Sequence, residues 1–214
     1  MIQLTNNLHK ILLEKFGYSS FRPGQLEIIK SIIHQEDVLA ILPTGMGKSL
    51  CYQLPGYILP HSVVIISPLL ALMQDQVEQL KKMGEKRVVA FNSFLTPSEK
   101  QTLLNKLETY KFIFLSPEMI TQEKVKEKLK SIPISLIVAD EAHCISQWGY
   151  DFRPDYLRLG EWLDSINRPP ILALTATATK QVMDDINTHL NMRQPTQHIQ
   201  SLDRPNIRYA AIEV

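Results

Sequence analysis

Six short apolar runs pace this chain: DVLAIL (37–42), SVVIIS (62–67), RVVAF (87–91), FIFLS (112–116), SLIVAD (135–140) and ILALTA (171–176). All are rich in β-branched residues and nearly continuous in hydrophobicity, whereas a strand with one wet face would alternate. Strands that are apolar on both sides need cover on both sides. Helical patterns between the runs supply it. GQLEIIKSIIHQ (24–35) sets Leu26, Ile29 and Ile33 on one stripe, and LLALMQDQVEQLKKM (69–83) does the same with Leu69, Met73, Val77 and Leu80. TPSEKQTLLNKLETY opens with Thr96 as N-cap, Pro97 at the first helical position and Glu99 closing a capping box. Strands alternating with helices predict an α/β fold, a three-layer sandwich around a mostly parallel sheet. In such folds ligands lie beyond the carboxyl ends of the strands.

The bulk numbers leave that reading free. A chain of 214 residues buries a sizeable core without staples, and 44% hydrophobic with 21% charged residues is ordinary globular composition. Lys plus Arg is 23 against 22 for Asp plus Glu, so the net charge of +1 advertises no polyanionic partner, though a local patch remains open. Cys51 and Cys144 are far apart and match no metal-ligand spacing; they read as buried free thiols of a reducing compartment. No secretory signal opens the chain, and the longest apolar run, VVIISPLLALM (63–73), is broken by Ser67 and Pro68 and too short for a bilayer. A cytoplasmic protein without a membrane partner is expected.

Two strand ends carry chemistry. The first runs into LPTGMGKSLCYQLP (42–55). Gly45 and Gly47 permit a tight loop that turns backbone N–H groups inward, Lys48 can reach the β- and γ-phosphates of a nucleotide, and the Ser49 hydroxyl can ligate Mg²⁺. The strict phosphate-loop pattern wants glycine where Leu42 stands, so Pro43 and Thr44 would do the turning. The fifth run ends in Asp140 and Glu141. Such acids could cap a helix. Coupled to the loop, Asp140 would hold the magnesium through its water shell, and Glu141 would orient and deprotonate an attacking water.

LPTGMGKS, DEAH and LTATAT (174–179), in this order, resemble the first RecA-like motor domain of superfamily 2 helicases. DEAHCISQWGYDFRPDY resembles the aromatic-rich loop of RecQ-family DNA helicases, and FGYSSFRPGQLEII (16–29) their adenine-recognition motif; ISPLLALMQDQV (66–77) and LSPEMI (115–120) resemble their strand-contacting motifs. The resemblance spans residues 8 to 209 or so. It implies an ATP- and Mg²⁺-dependent 3′–5′ DNA helicase lobe acting in repair and recombination. Thr44, Gly45, Met46, Gly47, Lys48 and Ser49 would hold the nucleotide. Gln25 would read the adenine edge with both amide groups while Tyr18 and Arg22 sandwich the base; otherwise these three pack the N-terminal helices. His143, Thr175 and Thr177 would link the nucleotide to the DNA. Trp148 and Phe152 would stack on bases and Arg153 contact a phosphate or relay to the nucleotide, with Gln147 in the same loop; alternatively the aromatics, Tyr150 above all, form a small core under the loop. Ser67, Pro68, Gln74, Asn92 and Ser116 would touch the strand, though Ser67, Pro68, Gln74 and Asp75 also suit turns and caps. KKMGEKR (81–87) reads as a solvated helix face.

The same resemblance divides the chain into an ATP-binding domain, 1–207, and the start of a connection, 208–214, to a second RecA-like domain absent from this sequence. That domain would bring the arginines that complete the ATP site. One lobe alone, expected to be monomeric, is therefore expected to bind nucleotide and DNA weakly and to turn over negligibly. A DEAD/DEAH-type RNA helicase lobe shares the loop and the acids, but residues 147–154 and the TATAT string argue against it. A nucleotide-binding module with no motor activity is the other alternative. A phosphate-loop kinase fails for want of an acceptor pocket or a lid.

Overall fold

A computed structural model describes residues 2–149, 151–166 and 168–200, so positions 201–214, Tyr150 and the expected connecting segment lie outside the described residues. The chain runs α1 (Ile2–Phe16), α2 (Gln25–Ile33), β1 (Val38–Ile41), α3 (Leu50–Gly56), β2 (Ser62–Ile66), α4 (Leu70–Lys82), β3 (Val88–Phe91) and α5 (Pro97–Asn105). It continues through β4 (Phe112–Leu115), α6 (Pro117–Ile120), α7 (Glu123–Ser131), β5 (Ile134–Ala139), α8 (Pro154–Asp164), β6 (Ile171–Thr175), α9 (Lys180–His189) and β7 (Thr196–Ile199). Single 3₁₀ turns cover Leu107–Thr109 and Ala142–Ile145. The strands form one sheet in the order β3-β4-β2-β5-β6-β1-β7, and all its pairings are parallel.

The continuous hydrophobicity of the runs has a direct structural cause. Val64, Ile66, Ile137, Ala139, Ile171 and Ala173 enter one core with Tyr156, Leu159 and Trp162 of α8 and Val182 and Ile186 of α9. The residues between them, Val63, Ile65, Leu136, Val138, Leu172 and Leu174, enter a second core with Ile28 and Ile32 of α2 and Met73, Val77 and Leu80 of α4. Both sets are essentially solvent-free, so each Val, Leu, Ile or Met among them contributes about 1.5–3 kcal/mol and truncating Ile137 to Ala costs about 2–5 kcal/mol. Leu8 and Leu12 of α1 close a third, smaller cluster on Ile29, Leu50 and Leu54. Both cysteines are free and buried.

Two details differ from the sequence-based expectation. The sheet has a seventh strand: β7 is an edge strand of sequence TQHI, half-buried and exposed in alternation, and so lacks the apolar run that marks the other six. Leu69 is the N-cap of α4 and 38% exposed, outside the buried stripe of Met73, Val77 and Leu80. The helix after the phosphate loop begins at Leu50, with Ser49 at its N-cap position. The capping box of α5 forms as expected, with Thr96 and Glu99 bonded reciprocally.

Candidate nucleotide site and the loop beside it

The nucleotide loop leaves β1 at Leu42, whose N–H still bonds the Thr175 carbonyl at 3.0 Å, and tightens where Met46 N–H donates to Pro43 O at 3.1 Å. Gly45 and Gly47 sit at φ 86° and 75°, a region side chains avoid. At Gly47 crowding adds to this, since a Cβ would come within 2.7 Å of Gln25 Nε2. Gln25 is buried and braces the loop: its Nε2 donates to the carbonyls of Met46 (3.0 Å) and Gly47 (3.1 Å), and its Oε1 accepts the Arg22 N–H at 2.9 Å. The Arg22 guanidinium donates to the Gly45 carbonyl. Beside them lies a cavity of about 280 Å³ lined by Tyr18, Arg22, Gln25, Gly47, Ser49 and Gln53, among others. A base entering it meets a Gln25 whose amide is already engaged at both ends, so reading an adenine edge requires exchanging those bonds.

The acid pair stands across the sheet top. Asp140 extends the ladder, its N–H bonded to Ile66 O at 2.8 Å, and its carbonyl accepts the hydroxyl of buried Tyr156 at 2.8 Å. Its carboxyl is pushed up to about 6, first by burial and then by the charge of Glu141, with Lys48 working the other way. Ser67 Oγ makes no hydrogen bond of sound geometry, yet it lies near enough to favour the ionised form of Asp140. Glu141 adopts φ 47°, ψ 47°, a left-handed conformation that costs a non-glycine residue about 1–3 kcal/mol and persists only where its surroundings enforce it. That conformation aims the side chain back across the site. One Glu141 oxygen is 3.5 Å from Lys48 Nζ, the other 3.4 Å from His143 Nδ1. His143 Nδ1 is also 2.9 Å from Thr175 Oγ1, and the Thr175 hydroxyl donates to Thr177 O at 3.0 Å. Because Thr175 spends its only proton there, the His143–Thr175 bond requires the proton on Nδ1. A continuous path therefore runs Lys48–Glu141–His143–Thr175–Thr177.

Ser49 and Asp140 fit a hydrated magnesium, a hard cation that takes oxygen donors. Both act on one buried phenol: the charge of Asp140 adds to the upward push that burial gives Tyr52, and a hydrogen bond with Ser49 opposes it. Among the described residues Lys48 is the cation that offsets the buried acid, and its carboxyl is still raised, the electrostatic situation a divalent ion relieves. Among the described residues no three His, Cys, Asp or Glu side chains cluster as metal ligands, so phosphate and water would complete the shell.

The aromatic segment follows at once. After the 3₁₀ turn Ala142–Ile145 the chain loops out and is pinched shut where Arg153 N–H bonds Cys144 O at 2.8 Å. Gly149 packs so tightly on this turn that a Cβ would sit 2.2 Å from the His143 carbonyl oxygen. Trp148 projects, 72% exposed, next to exposed Gln147, while Phe152 is half-buried. Arg153 is held by Asp151 at 3.0 Å and by the Pro68 carbonyl at 3.1 Å, which ties the loop to the end of β2. Ser67 and Ser116 follow β2 and β4 with buried hydroxyls that make no hydrogen bond of sound geometry among the described residues, Gln74 is exposed on α4, and Asn92 is buried, its Oδ1 accepting the Phe94 N–H at 3.0 Å. Asn92 thus serves as a turn residue here. What it presents is Phe94, 81% exposed at the end of β3. The sequence reading passed over Phe94; its signal was an aromatic stranded between a strand end and a helix N-cap, in neither periodic pattern. Basic residues of 81–87 face solvent, with Arg87 held by Glu85 at 3.2 Å.

A phosphate-type loop after β1, an acid pair after β5 two strands away, and a parallel sheet between two helical layers define a RecA-like nucleotide-binding lobe. The model of the DEAD/DEAH box helicases matches residues 22–186, and the chain belongs to that family. It is similar to the probable ATP-dependent DNA helicase RecS of Bacillus subtilis (strain 168), with 54% identity over 94% of this chain and 40% of the relative. It is 44% identical to the ATP-dependent DNA helicase RecQ of Pasteurella multocida (strain Pm70) over 99% of this chain and 34% of that one. The chain thus spans two fifths or less of the length of these relatives. Among solved structures, a hypothetical ATP-dependent RNA helicase from Sulfolobus tokodaii superposes with a TM-score of 0.71 at 15% identity, covering 91% of this chain and 57% of that one, a likeness of fold alone.

Proposed function

We propose that this chain is the first motor lobe of a RecQ-type ATP-dependent DNA helicase, binding ATP–Mg²⁺ in the 42–49 loop and single-stranded DNA along the strand tips of β3, β4, β2 and β5. The observation that carries the reading is the bonded path Lys48–Glu141–His143–Thr175–Thr177, which begins in the 42–49 loop and passes the root of the aromatic loop. Lys48 binds the β- and γ-phosphates; Ser49 and Asp140 hold the cation, which neutralises developing phosphate charge when bound. Glu141 orients the attacking water and takes its proton. Tyr18, Arg22 and Gln25 take the adenine, and release of Gln25 from Met46 and Gly47 lets base binding alter the loop that grips the phosphates. Trp148 and Phe152, joined by Phe94 on the opposite rim, stack on bases, each worth about 1–3 kcal/mol without sequence preference. Arg153 fixes the loop to Pro68.

Hydrolysis by this lobe alone is negligible in this reading, because the charge that stabilises the transferring phosphoryl group comes from a second RecA-like lobe. With that lobe the motor moves 3′ to 5′, unwinds duplex DNA in repair and recombination, and works as a cytoplasmic monomer, nucleoid-associated if bacterial. No described helix is long and apolar enough to cross a membrane. The test is Trp148→Ala in the longest natural form of the polypeptide. Stimulation of ATP hydrolysis by single-stranded DNA should collapse while unstimulated hydrolysis survives; undiminished stimulation refutes the assignment. Matched DNA and RNA duplexes in a strand-separation assay decide between DNA and RNA as substrate.

A further inference from the structure

The carboxylate of Asp185, on α9, lies 2.5 Å from the hydroxyl of Ser146, the residue that leads into the exposed Gln147–Trp148 tip. Ser146 is fully buried. Its hydroxyl has one proton to give; donated to Asp185 Oδ2, it leaves the oxygen free to accept the Trp148 backbone N–H at 3.1 Å. Asp185 therefore reaches the main chain of Trp148 through a single hydroxyl, and a hydrogen bond to a charged acceptor is among the stronger kinds. A second bond anchors the turn to the element before α9: His143 Nδ1 to Thr175 Oγ1, 2.9 Å, at the end of β6. Gly149, seated on the His143 carbonyl, closes the unit from the far side of the loop.

We propose that Asp185 is a positioning residue for the DNA-dependent step. By holding Ser146 it makes the Trp148 tip and the Ala142–Ile145 turn one body with the middle of α9 and the end of β6, pinned once to each. A nucleobase landing on Trp148 then displaces the turn that follows Glu141 and the Thr175 contact with it, instead of flexing a loose loop. Without the pin the strand still binds and the nucleotide still binds, but neither reports to the other. The proposal rests on the strand-sensing reading of Trp148.

The test compares wild type with Asp185→Leu, Ser146→Ala, the double variant and Asp185→Asn, in the longest natural form of the polypeptide, with fluorescein-labelled oligothymidylate as the strand. Unstimulated hydrolysis should stay within about twofold of wild type and oligothymidylate binding within about threefold, while maximal stimulation falls at least about tenfold in Asp185→Leu and Ser146→Ala. Asp185→Asn keeps an acceptor oxygen and should recover about half of the stimulation or more, and the double variant should be no worse than either single, as for one shared interaction. Full stimulation in both single variants, or parallel loss of basal and stimulated hydrolysis, overturns the proposal. A readout independent of activity guards against poor folding of one variant: acrylamide quenching of Trp148 in the Ser146→Ala form of the 214-residue chain. Trp162 is 2% exposed and adds little to the quenched signal; quenching should rise as the tip loosens, and unchanged quenching counts against the pin. Wild-type hydrolysis that ignores oligothymidylate would sink the strand-sensing reading itself, an outcome distinct from failure of Asp185 alone.

Discussion

The two ends of the central sheet treat buried charge in opposite ways. At the amino end, Asp37 is buried and fully engaged: Arg168 at 2.7 Å, and the N–H groups of Ile171 and Arg193 at 2.9 and 2.6 Å, which ties β1 to β6 and to the lead-in of β7. Lys111, also buried, donates to the carbonyls of Leu59 and His61, and burial brings it down to about 8. At the carboxyl end, Asp140 is raised to about 6, the hydroxyls of Ser67 and Ser116 make no hydrogen bond of sound geometry among the described residues, and Glu141 is held in a left-handed conformation. Large apolar side chains, Leu69, Leu72, Phe94 and Trp148, face water there. The amino end pairs its buried charges within the protein, although Arg168 Nε makes no hydrogen bond among the described residues. The other leaves them open, which is tolerable only where a ligand completes them.

Substitutions at the two ends should therefore separate activity from stability. Glu141→Gln should lower ATP turnover in the complete motor by about 10²–10⁴-fold, with nucleotide binding retained, because it removes the base without changing shape. Its denaturant midpoint should barely move; a large loss of stability would mean that Glu141 belongs with Asp37 rather than with the chemistry. Asp37→Ala should do the reverse, costing about 3–5 kcal/mol in urea unfolding by stranding the Arg168 charge and two N–H groups, with nucleotide contacts intact in whatever remains folded.

Asp140 gives the comparison a pH signature. Its folded-state carboxyl binds a proton more readily than in the unfolded chain, so its contribution to stability is present at low pH and is lost as pH rises from about 4 through about 6. The full loss is about 3 kcal/mol, from the shift converted at about 1.4 kcal/mol per pH unit. Asp140→Asn should abolish that slope and stabilise the nucleotide-free chain at pH 7, and magnesium with nucleotide should offset the same loss in wild type. A slope unchanged in Asp140→Asn would assign it elsewhere. The smallest effect expected is Tyr156→Phe, about 1 kcal/mol from the bond to the Asp140 carbonyl, read in the same unfolding experiment.

Much of this was legible in the residues because it depends on local patterns. Six strands could be read from apolar runs, since a two-faced core demands them, and β7 could not, since an edge strand does not. GKS and DEAH announced a phosphate loop and an acid pair because glycine geometry, lysine charge and carboxylate placement act within a few residues. The amino-acid sequence by itself determined the α/β class, the capping of α5, and which side chains carry charge at two strand ends. Only the tertiary structure decided that Gln25 is bonded to the very loop it flanks, that Glu141 turns to meet Lys48 and His143, that Asn92 serves the turn and hands exposure to Phe94, and that Asp185 holds Ser146. Those contacts join residues up to 93 positions apart. Periodicity and propensity report on neighbours in the chain, whereas such pairings arise only when the sheet order brings distant strand ends side by side.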